Sequence, residues 1–172
     1  MIRRLWAVAL VVIACGASPA SADPAADIFG GFQAKSTDPI QVDAAALETY
    51  EEGTQRISVF SGGVTVKRGN TLMKAGTIKL FSATSGKEAS SFSRIEASGN
   101  INVSSADQVV TGSTAVVDMA TNTITVEGNV VLSQGPNVIT GNRLVVNLST
   151  GRARVEQAPG KQIRGVFTPN SN

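Results

Sequence analysis

From Ile40 onward, apolar and polar residues alternate along the chain. This two-residue period is that of strands with one buried face. Two short patterns recur within it. In the first, apolar residues flank a glycine and continue at every second position: Phe60-Gly62-Val64-Val66, Ala97-Gly99-Ile101-Val103 and Val126-Gly128-Val130-Leu132. In the second, a small residue is followed by a step of three: Met73-Ala75-Ile78-Leu80, Val110-Gly112-Ala115-Val117 and Ile139-Gly141-Leu144-Val146, with a partial copy at Val42-Ala44-Leu47. The two are separated by a constant thirteen residues, from Gly62 to Ala75, Gly99 to Gly112 and Gly128 to Gly141. Such self-similarity marks a repeated structural unit. The first two units are 37 residues apart and the next two 29. The surplus falls on the Ser-, Gly-, Lys- and Glu-rich stretch 85–93, which reads as a longer loop.

Glycine inside a strand marks a bulge or sharp bend, and a step of three shifts the buried face by one residue, as a bulge does. The pattern therefore predicts an all-β stack of bent antiparallel strands around a continuous apolar interior, with no substantial helix. Residues 43–51 have helical composition, but their match to the small-residue pattern favours a strand. Asp118–Asn122 and Leu148–Arg152 read as hairpin turns, and Gln162–Phe167 as a last strand.

The chain begins with Arg3-Arg4, an apolar run from Leu5 to Ala14 and the small residues Ala20-Ser21-Ala22. This is the three-part pattern of a cleavable secretory signal over residues 1–22; its apolar run is too short to span a bilayer. A rival reading takes Val12-Ile13-Ala14-Cys15-Gly16 as a lipobox, with Cys15 acylated. Residues 23–38 read as a flexible leader, 39–168 as the β domain and 169–172 as a tail.

Of 172 residues, 42 % are hydrophobic and 16 % charged, enough apolar content for one folded domain. There is no histidine, and Cys15 is the single cysteine. The common zinc and copper sites, Ser-His-Asp catalysis and an intrachain disulfide are thereby removed. No catalytic, metal or cofactor residues emerge, and the chain reads as a non-enzyme. Loss of Arg3 and Arg4 with the signal leaves thirteen basic against thirteen acidic residues, which argues against a nucleic-acid partner.

Pro39-Ile40-Gln41-Val42-Asp43-Ala44, Phe60-Ser61-Gly62-Gly63-Val64-Thr65-Val66, Ala75 with Ile78-Lys79-Leu80, and the Gly-Asn-Ile and Gly-Asn-Val segments at 99–101 and 128–130 together resemble the OstA-like (LptA) family. The resemblance runs from about Pro39 to Pro169. It implies a twisted β-jellyroll open at both ends, located in the periplasm. It also implies end-to-end stacking with itself into a bridge between an inner-membrane lipopolysaccharide transport complex and an outer-membrane translocon. The acyl chains of lipid A (the lipopolysaccharide anchor) would travel in the apolar interior, without chemistry. The family's lipid-contacting opening carries over to Ile40 and Val42. By the repeat, the remaining lining positions are Phe60, Val64, Val66, Met73, Ile78, Leu80, Ile95, Ile101, Val103, Val117, Val126, Val130, Leu132, Ile139, Leu144 and Val146. Aromatics are sparse among them: small residues such as Ala115, Val117 and Val146 stand where larger ones fit.

The residues alone leave alternatives open. A lipid groove and a dry core use the same side chains. The edge strands, 40–47 and 162–167, serve either for strand addition to a partner or are blunted by charges such as Lys161 and Arg164. Lys67, Arg68, Lys74 and Lys79 either meet lipid phosphates or form a solvated outer face. A rigid β scaffold without lipid and an acylated envelope lipoprotein stand beside the soluble carrier.

Overall fold

The computed structural model describes residues 28–29, 38–86 and 91–169. Ten strands follow in order: β1 (Gln41–Asp43), β2 (Ala46–Glu52), β3 (Gln55–Arg68), β4 (Thr71–Ala83), β5 (Phe92–Ser105), β6 (Gln108–Asp118), β7 (Thr123–Gln134), β8 (Asn137–Asn147), β9 (Arg152–Glu156) and β10 (Arg164–Val166). No helix occurs among the described residues. β3 to β8 form an antiparallel meander in sequence order. β1 and β2 share one edge, on the two halves of β3, and β9 and β10 share the other, on the two halves of β8.

The thirteen-residue interval is the distance from a bulge to its cross-strand counterpart. Gly62-Gly63 stands opposite the single residue Gly76, Gly99-Asn100 opposite Ser113, and Gly128-Asn129 opposite Asn142. Both residues of each pair have positive φ, from 51 to 84°. Glycine adopts that backbone readily, and asparagine is among the side chains that tolerate it best. The break between β1 and β2, at Ala44-Ala45, lies at the same level: a Cβ on Gly62 would come within 2.5 Å of the Ala45 Cβ. The irregularities thus line up as one belt across the sheet.

On one side of the belt, Phe60, Ile78, Ala97, Ala115, Val126, Leu144 and Val155 form a continuous cross-strand row. On the other, Val66, Met73, Val103, Val110, Leu132 and Ile139 form a second. All but Ile139 of the thirteen belong to one apolar cluster. Several members have no exposed surface, and a lone sheet face cannot achieve that. The described residues hold no other sheet and no helix, so the sheet supplies its own second layer by folding along the belt.

Turn chemistry follows the sequence. The Asp118 carboxylate accepts a hydrogen bond from the Thr121 amide at 3.0 Å, and Asn122 takes φ 51°. Asn147 Oδ1 accepts from the Ser149 and Thr150 amides at 3.0 and 2.9 Å. The expected strand over 43–51 is divided by the belt, and the expected strand 162–167 shortens to β10. The loop placed over 85–93 connects Ala83 to Phe92, with 87–90 outside the described residues. Within the leader, Ile28 and Phe29 are buried against the core, so those two are anchored rather than flexible. The signal, Cys15 and residues 170–172 lie outside the described residues.

Candidate functional site

The folded sheet encloses one apolar interior, and its two flanks differ. Towards β7 and β8 packing is tight: Ile124, Val126, Val130, Leu144 and Val146 are at most 1 % exposed. On the Phe60 side of the belt the flank of β2 to β5 is looser, whereas across the belt Val64 and Val66 of β3 are buried and Leu132 and Ile139 of β7 and β8 are half-buried. Val42, Phe60, Leu80 and Ile95 are only partly buried, and inward-facing Leu47 on β2 is 59 % exposed. Among the described residues β2 has no strand beyond it, and the row that runs through Leu47 and Phe60 ends at this edge.

A gap of about 60 Å³ opens on this looser flank, lined by Ile40, Val42, Phe60, Val66, Met73, Ile78, Leu80, Phe92, Ile95 and Val117. Every lining side chain is apolar. Water occupies about 30 Å³ per molecule in the liquid and needs polar partners to stay in a cavity. The gap is therefore small and hydrophobic, and an extended alkyl chain enters only if the flank widens. The elements around it permit that: β1 is three residues long, and β2 is exposed along its whole length.

Of the eighteen lining positions expected from the sequence, sixteen fall in or against this one cluster. Ile139 is half-buried at the β8 edge, where β10 covers it with Gly165 rather than a side chain. Ile40 is 48 % exposed at the mouth of the gap. The sequence reading passed over Ile124 and Val110, both fully interior. Ile124 lies two residues before the chosen Val126 on the same strand face, and Val110 holds the repeat position of the chosen Met73 and Ile139, so a signal was available for each. Phe92, Met119, Leu148 and Val155 were missed because they flank turns or follow the repeat. Ile28 and Phe29 were missed because no periodicity surrounds them.

Of the cationic cluster only Arg68 stands on the inward face, half-buried opposite Thr71 at the end of the sheet. Lys67, Lys74 and Lys79 alternate with inward residues and are exposed on the outer face. Arg68 Nε donates to the Asp38 carbonyl at 3.1 Å. Other charges pair at exposed positions: Arg56 with Glu51 at 3.0 Å, Arg94 with Glu96 at 2.7 Å, and Arg143 with Glu127 at 3.2 Å. Exposed pairs of this kind add little to stability. Among the described residues, no group of His, Cys, Asp and Glu is arranged to hold a metal, and no helix is long and apolar enough to cross a membrane.

Residues 41–152 match the family described as LptA/(LptD N-terminal domain) LPS transport protein. The match covers well over half of the chain, and the protein belongs to that family. An uncharacterized protein of Rhizobium meliloti (strain 1021) is 32 % identical over 114 residues, which are 64 % of this chain and 60 % of the relative. The crystal structure of LptH, the LptA-homologous periplasmic component of the lipopolysaccharide transport device of Pseudomonas aeruginosa, superposes with a TM-score of 0.61. The two are 18 % identical, and the alignment covers 77 % of this chain and 96 % of LptH. The likeness shows a shared fold.

Proposed function

We propose that this protein is a periplasmic carrier that shields the acyl chains of lipopolysaccharide between the inner and outer membranes. It acts as a non-enzymatic bridge that assembles end to end by strand pairing. The observation that carries this is the purely apolar gap at the looser flank, in a chain of a lipopolysaccharide transport family. Each methylene moved from water into such an interior gains about 0.8 kcal/mol. A few methylenes thus outweigh the cost of parting half-buried side chains. The edges fit assembly: among the described residues no strand lies beyond β2 on one side or β10 on the other, which favours strand addition there.

Binding of purified lipopolysaccharide to Val42→Asp and Leu80→Asp tests the reading. Both residues are partly buried at the gap, so the fold tolerates them better than a change at Ile101, which is 1 % exposed. A carboxylate in the gap must stay solvated, and binding is expected to weaken by at least about tenfold, or 1.4 kcal/mol. Undiminished binding by both folded variants contradicts the reading. The dense packing against β7 and β8 favours a second reading, a rigid β spacer with a dry core, which expects no lipid binding in the unaltered protein.

A further inference from the structure

Ile28 and Phe29 lie before the residues that match the family, yet Ile28 has no exposed surface and Phe29 is 2 % exposed. They belong to the same apolar cluster as Val64, Ile101, Val103 and Val110. The Thr71 hydroxyl donates to the Ile28 carbonyl at 3.4 Å, which fixes the pair at one end of the folded sheet. Thr71 and Gln108 stand there in the last inward-facing row before the turns that close β3–β4 and β5–β6. The last row of an open-ended sheet meets water. Here both side chains are buried. At the opposite end Ser82 is also buried, but inward-facing Phe92 is 42 % exposed and borders, with Ser82 and Met119, a cleft of about 560 Å³. One end of the interior is stoppered and the other is open.

We propose that Ile28-Phe29 is a built-in stopper that occupies, in the unloaded protein, space that an acyl chain takes in the loaded one. The inference rests on the carrier reading. An isoleucine and a phenylalanine offer the interior the same chemistry as a hydrocarbon chain. The apolar cluster that the pair joins is too closely packed to admit both, because its members Val64, Ile101, Val103 and Val110 are at most 1 % exposed. Two features make the stopper removable. Its hydrogen bond to Thr71 is long, and the closed state leaves Gln108 Oε1 buried without a partner, a cost relieved when the end opens.

The test is tryptophan emission from Phe29→Trp in a chain whose one natural tryptophan is changed by Trp6→Phe, titrated with purified short-sugar lipopolysaccharide. Bound lipid is quantified separately by radiolabel. A blue-shifted indole at position 29 in the free protein, moving to the red in proportion to bound lipid, supports the stopper. A companion I28S/F29S variant is expected to bind lipid at least about fivefold more tightly, because the closed state no longer taxes affinity. Blue emission unchanged at saturating bound lipid overturns the stopper and leaves the carrier standing. Red emission in the free protein also overturns it. No bound lipid in either the single-tryptophan protein or the I28S/F29S variant overturns carrier and stopper together.

Discussion

Gly128 and Ser113 lock two neighbouring strands at the belt. The Ser113 hydroxyl donates to the Gly128 carbonyl at 3.2 Å, and a Cβ on Gly128 would stand 2.5 Å from the Ser113 Oγ. Gly128 also has φ +84°. Gly128→Ala is therefore expected to destabilise the protein by about 1–3 kcal/mol through backbone strain and overlap. Gly86→Ala has comparable backbone strain, with φ +86°, but open space around the new methyl. It is expected to cost less in urea unfolding. Equal losses contradict the claim that close packing at the belt matters beyond backbone strain.

The two flanks of the interior differ in what truncation does. Leu144 has no exposed surface, whereas Leu80 is half-buried beside the gap. Leu144→Ala is expected to cost about 2–5 kcal/mol, because the tight flank cannot collapse around the cavity. Leu80→Ala is expected to cost clearly less and to change lipid capacity more. Equal unfolding midpoints for the two variants remove the asymmetry.

Asp118 sets a pH dependence of known sign. The Thr121 amide holds its carboxyl below the ordinary value of 3.8 against the opposing effect of desolvation, with smaller help from the Thr121 hydroxyl, the Ala120 amide and Arg94. A carboxyl depressed by folding stabilises the fold above its unfolded value, and that contribution disappears as pH falls through the folded value. Carbon-13 titration is expected to place the Asp118 midpoint below 3.8. In Asp118→Asn, the decline of stability between about pH 5 and pH 2 is expected to be shallower than in the unaltered protein.

The edges bear on assembly. Leu47 on β2 and Val166 on β10 are 59 % and 52 % exposed at opposite sides of the sheet. Leu47→Glu and Val166→Glu are each expected to shift the mass distribution in sedimentation towards single copies. An unchanged distribution in both contradicts strand pairing between copies.

The belt was legible because backbone conformation leaves a chemical trace. A pair of consecutive positive-φ residues demands Gly-Gly or Gly-Asn, and its partner strand demands a small residue where the sheet folds: Ala75, Gly112 and Gly141. A Cβ on Gly141 would overlap Val155 Cγ1, so the requirement is steric as well as conformational. Inward positions followed by parity from those marks. The width of the interior did not, since Leu80 at the gap and Val146 in the packed flank are both apolar and hold the same repeat position. What separates them is that β9 flanks Val146, whereas among the described residues no strand lies beyond β2. Ile28-Phe29 was illegible for another reason: two apolar residues without period carry no sign of where they dock.

The central claim is that lipopolysaccharide travels inside this sheet. Photocrosslinking in the cell envelope tests it most directly, with a photoreactive residue at inward Val42, Ile101 or Val130 and at outward Thr65 or Asn102 as controls. The account expects lipopolysaccharide adducts at the inward positions and none at the outward ones. Adducts equally frequent on both faces, or absent from every inward position of a folded and well-expressed protein, contradict it.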